Sequence, residues 1–137
     1  MRKIDNLKTV ANLFDFKTIT DNNGNEYVVY ACSGITEVGS EPEDKTQFEA
    51  LENHVHLVDN VKKSDFDELI EIGRVLGETQ LNALKLKYPN KEFCVFVTVD
   101  IGESMIIRFH QVWENEPVYY NPDDFNSDKT RVLMFRK

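Results

Sequence analysis

Three histidines, His54, His56 and His110, are the whole imidazole complement of this 137-residue chain, and two of them form an H-x-H pair. Alternate residues of a strand share a face, so His54 and His56 would project together, and with His110 they could hold zinc tetrahedrally with one position open. The spacing stops short of a metal motif. No acidic residue follows at the four- or five-residue step of a cupin-like site, and Asp59 is not followed by a further histidine. The spacing implies no metal and no cofactor.

A second set of reactive types is Glu92, Cys94, Arg108 and His110. If residues 92–113 form a hairpin, all four fall on one face. A thiol beside a cation has a lowered pKa, and a histidine opposite a carboxylate can be oriented as a base, so these types suit nucleophilic catalysis. On a half-exposed sheet, however, Arg and His commonly serve as polar edges and cross-strand partners. The chain has no nucleophile elbow, G-x-G-x-x-G loop or G-K-[S/T] phosphate cradle to support an enzyme reading.

Charge is the other conspicuous feature. The formal net charge is −8, a sign that repels a polyphosphate backbone and disfavours direct nucleic-acid binding. Glu37 to Glu52 carries six carboxylates against one lysine. Such a run is ordinarily a solvated face; its sharper reading is an acidic docking surface, with Glu41, Glu43 and Asp44 meeting a basic partner. Trp113, Tyr119, Tyr120 and Phe125 cluster further on in a polar, turn-rich stretch. They close a core edge or act as binding anchors, since Trp and Tyr are enriched at interface hot spots.

These residues have to be positioned by elements that the pattern predicts. Leu13 to Thr20 and Glu26 to Ser33 flank the turn formers Asp21-Asn22-Asn23-Gly24-Asn25 and read as a hairpin. Its second strand is apolar on both faces. A loop with a short helix is expected over about 34–53, with Pro42 in the first turn, followed by a short strand at His54 to Val58.

The clearest element is a helix of about 64–88, with Ser64 as N-cap and Asp65, Asp67 and Glu68 near the positive end of the dipole. Phe66, Leu69, Ile70, Gly73, Leu76, Gly77, Leu81, Leu84 and Tyr88 make one stripe that must face the core. Gly73 and Gly77 lie on it, each costing about 1 kcal/mol against Ala, so something should cross there at close range. In the hairpin of Glu92 to Trp113, a loop Asp100-Ile101-Gly102 would pair Val97 with Met105, Val95 with Ile107 and Phe93 with Phe109. It would set Cys94 against Arg108 and Glu92 against His110. Thr130 to Arg136 is a last strand.

The expected fold is α+β, a mainly antiparallel sheet with the long helix on one face, in one domain over 1–137. No run of about 18 apolar residues is present, and Cys32 and Cys94 form no C-x-x-C pair; the chain reads as a cytoplasmic protein with two reduced, partly buried thiols and no membrane span. Its expected role is that of a small acidic, non-enzymatic protein-binding module. An immunity or inhibitor protein for a basic toxin, or a regulatory subunit, fits that profile. The competing reading is a small enzyme or ligand-binding protein that uses the outer face of the 92–113 hairpin.

Overall fold

The computed structural model describes residues 2–137. A short helix α1 (Lys3–Asn12) leads into the hairpin β1 (Phe16–Thr20) and β2 (Glu26–Tyr30). Helix α2 (Lys45–Glu52), strand β3 (His54–Asp59) and the long helix α3 (Phe66–Lys87) follow. The chain closes with β4 (Phe93–Asp100), β5 (Ser104–Gln111) and β6 (Thr130–Arg136). β1 and β2 form a two-stranded sheet, and the other four pair in the order β3-β5-β4-β6, every pairing antiparallel. The fold is α+β, with α3 packed on one face of the larger sheet. No helix among the described residues is long and apolar enough to cross a membrane.

The predicted stripe of α3 is the one that packs. Gly73, Gly77, Leu81 and Leu84 are buried, and Phe66, Leu69, Ile70, Leu76 and Tyr88 lie against Val95, Val97, Met105 and Ile107. The two glycines mark the close crossing. A Cβ on Gly73 would stand 2.8 Å from Cγ1 of Val97, and one on Gly77 would stand 2.6 Å from Cδ2 of Phe135. The start of the helix differs from expectation. Ser64 is not its cap, because Lys63–Asp65 forms a 3₁₀ turn and α3 begins at Phe66 with no side-chain cap.

The hairpin keeps its predicted faces but not its predicted partners. Phe93 lies opposite Gln111, Val95 opposite Phe109 and Val97 opposite Ile107, which sets His110, not Arg108, against Cys94. Strand β4 runs on to Asp100 and Gly102 takes the left-handed conformation at φ +82°, so the turn sits one residue later than the sequence suggested. A one-residue later turn shifts the pairing by two, and a two-residue slip leaves every side chain on its original face.

One element escapes the sequence pattern. Helix α1 has no counterpart among the predicted elements, and none of its ten residues is buried. Strand β2 differs from an interior strand only in its pairing: its apolar character on both faces fits its cover, with Val28 and Tyr30 in one cluster and Tyr27 and Val29 in another. Its outer edge is met by side chains instead of a further strand.

Candidate functional site

Glu49 and Asn53, one turn apart at the end of α2, occupy the gap between the two sheets. Glu49 Oε2 accepts the backbone N–H of Val28 at 2.9 Å and the side-chain amide of Gln111 at 2.7 Å. Its Oε1 accepts the backbone N–H of Gln111 and the indole N–H of Trp113, each at 2.8 Å. Asn53 donates to the carbonyl of Val28 at 2.8 Å and accepts from Tyr30 N–H, while its own carbonyl accepts from Phe109 N–H. The free edges of β2 and of the end of β5 are thus satisfied together. Burial pushes the Glu49 carboxyl up to about 7, against the pull of its four hydrogen bonds. With no solvent access and every lone pair directed at a donor, this carboxylate is a structural tie and not an acid or base for a substrate.

The outer face of the β3-β5-β4-β6 sheet gathers most of the predicted catalytic set and then covers it. The segment after β5 folds back so that Val118, Tyr119 and Tyr120 pack on Cys94, Phe96 and Val132. His110 is fully buried. Its Nδ1 donates to the carbonyl of Gln111 at 2.7 Å and its Nε2 accepts the backbone N–H of Tyr119 at 3.1 Å, which fixes one neutral tautomer and leaves no free nitrogen. Burial holds the imidazole below its ordinary pKa and pushes the Cys94 thiol up to about 11. Arg108 donates to the carbonyl of Ala50 at 3.0 Å, and its charge rests against the rings of Tyr119 and Tyr120 at 5.0 and 5.5 Å. Glu92 pairs with Arg136 on β6, not with His110.

His54 and His56 stand side by side on the exposed edge strand β3, ring centroids 5.7 Å apart. His54 Nδ1 lies 2.6 Å from the carbonyl of Leu51. Because His110 is enclosed beneath Tyr119, the three histidines are not brought together. Among the described residues no group of three or more His, Cys, Asp or Glu side chains could hold a metal ion.

The acidic segment divides in two. Glu49 turns inward, whereas Glu41, Glu43 and Asp44 are exposed. Asp44 caps α2 by accepting from Gln47 N–H at 2.8 Å, and Glu116 secures the same helix end through Thr46 N and Thr46 Oγ1 at 2.7 and 2.6 Å. Glu41 lies 3.7 Å from Lys45. Along the outer side of α2, Pro42, Glu43, Asp44, Gln47, Phe48 and Leu51 line an open groove of about 400 Å³, with Leu51 50% exposed.

The aromatic candidates are absorbed by the fold to different degrees. Trp113 packs on Tyr27, beside buried Ile19 and Val29, at 5.2 Å between centroids, and its N–H donates to Glu49. Tyr119 and Tyr120 are half-buried, and Phe125, 5.2 Å from Tyr120, is exposed. Sequence reasoning missed Glu49, Asn53, Gln111 and Glu116, whose roles depend on partners 21 to 85 residues away; only the i, i+4 spacing of Glu49 and Asn53 on a helix hinted that they share a face. In comparisons with known proteins, no family model, no curated protein and no solved structure matches the chain.

Proposed function

We propose that this chain is a small, non-enzymatic binding module that receives a basic protein partner along the exposed side of α2. The observation that carries the reading is the α2 groove, in which the apolar surface of Leu51 and Phe48 lies beside the carboxylates of Glu43 and Asp44. That pairing suits a lysine or arginine side chain, whose aliphatic stem covers apolar surface while its head meets a carboxylate. The net charge of −8 would draw such a partner in from a distance.

The competing reading, chemistry on the outer face of the 92–113 hairpin, finds its groups already engaged: both nitrogens of His110 are bonded and Cys94 is enclosed. A test of the binding reading is co-purification from a lysate with Glu43→Lys and Leu51→Glu as matched baits. The expected result is a polypeptide of basic composition that is captured by the parent chain and lost from both variants. Capture that survives both substitutions, or a captured protein that is acidic, would overturn it.

A further inference from the structure

We propose that the face shared by α1 and α3 is the interface of a two-fold homodimer, in which the basic α1 of each copy lies against the acidic first half of α3 of the other. Helix α1 presents Ile4, Leu7 and Val10 at three-residue steps, with Leu7 68% exposed. Next to it, α3 presents Ile72 and Val75, the latter 55% exposed. The two helices border one groove of about 350 Å³, into which Val10 and Ile72 both project over Met105. These five aliphatic side chains, each between 45% and 68% exposed, line one side of the molecule, an apolar surface of the kind that serves as an interaction site.

Helix α1 has little of its own to hold it beyond the exposed Arg2–Asp5 ion pair at its start. A ten-residue helix is marginal in water by itself, and this one has no side-chain cap and no buried residue. Its end is held where Leu13 enters the core and Gln80 donates to the carbonyl of Leu13 at 2.9 Å. Burying its stripe would supply the missing stabilisation.

Charge selects the occupant. With its N-cap residue, α1 carries Arg2, Lys3 and Lys8 against Asp5, a net +2, and the first half of α3 carries Asp67, Glu68 and Glu71 against Arg74, a net −2. Lys3 flanks Leu7, and Glu71 flanks Ile72 and Val75. The face therefore carries its own complement, and a two-fold rotation brings each sign onto the other in an isologous contact. An anionic membrane would meet the basic helix but be repelled by the carboxylates beside it.

The test is sedimentation velocity of the full chain up to about 100 μM, with circular dichroism to confirm folding. The expected result is a reversible dimer whose dissociation constant rises at least about tenfold in Leu7→Glu and in Val75→Glu. Two charge-reversal variants leave the apolar residues untouched: K3E/K8E and E68K/E71K should each be monomeric, because each presents like charges to itself. Mixed in equal amounts they should form a heterodimer, since the reversed α1 of one then faces the reversed α3 of the other. A parent chain that stays monomeric, a dimer indifferent to these changes, or a mixture that fails to associate would overturn the proposal. So would binding of the monomer to anionic vesicles that is abolished by Leu7→Glu.

Discussion

The indole N–H of Trp113 and the backbone N–H of Gln111 converge on one oxygen of Glu49, each at 2.8 Å. Together with Val28 N–H and the Gln111 amide on the other oxygen, they make a site composed of donors alone. Glu49→Ala removes the acceptor that all four share and leaves four N–H groups at the sheet junction without a partner. The expected loss is about 2–4 kcal/mol of stability, the cost of unsatisfied buried donors in a shared network. Urea unfolding followed by fluorescence of Trp113, the only tryptophan, measures it. A loss below about 0.5 kcal/mol would show that the tie between the sheets is dispensable.

The same carboxyl sets a pH dependence. Its folded pKa of about 7 lies above the ordinary 4.5, so between those values the folded state holds a proton that the unfolded state has released. Stability from this group is complete below about pH 4.5 and is lost as pH rises through 7, by an amount on the order of 3 kcal/mol. His110 acts oppositely. Its folded pKa is depressed below 6.5, so its contribution is present above that value and is lost as pH falls. Comparing the parent chain with Glu49→Ala across pH 4.5 to 8 isolates the first effect, since the His110 contribution is common to both. The destabilisation caused by the substitution should be largest at acid pH and shrink toward pH 8.

The long helix, its buried stripe and its two crowded glycines were legible because a 3.6-residue period sustained over 22 residues fits neither a strand nor a loop. The faces of the β4–β5 hairpin were legible for a similar reason, but their register was not. A period of two is unchanged by a slip of two, and the turn alone had to decide it. Glu49 was hidden in the acidic run, where five neighbouring carboxylates give the sixth the look of a solvated charge. Its burial depends on β2, β5 and Trp113 meeting in space. Helix α1 was illegible because its apolar stripe is short and none of it is buried in this chain.

The two thiols should differ in reactivity. Cys32, expected to be partly buried, is exposed because it follows the end of β2, whereas Cys94 is enclosed by the segment that includes Tyr119 and its thiol is pushed up to about 11. An aromatic disulfide reagent at pH 8 is expected to label one thiol per chain rapidly, with the second reacting only on unfolding. Cys32→Ser should abolish the rapid phase. Rapid labelling of Cys94 in that variant would mean that the cover over the outer face opens readily.

Gly77 and Phe135 provide the sharpest test of the helix-on-sheet contact, because the two energies involved have opposite signs. Alanine in place of a mid-helix glycine gains about 1 kcal/mol in backbone preference, and overpacking costs about 1–3 kcal/mol. At Gly73 the neighbour is Val97, fully buried on a central strand and stiff at its branched Cβ, so Gly73→Ala should lose a net 1–2 kcal/mol or so. At Gly77 the neighbour is the ring of Phe135 on the edge strand β6, which is half-buried and can swing, so the net loss should be smaller. In a Phe135→Ala background the obstruction is gone and only the helical preference remains. Gly77→Ala should then stabilise by about 1 kcal/mol, giving a coupling between the two positions of about 1–2 kcal/mol by denaturant unfolding. If Gly77→Ala has the same effect with and without the ring, Phe135 is not what keeps that position a glycine.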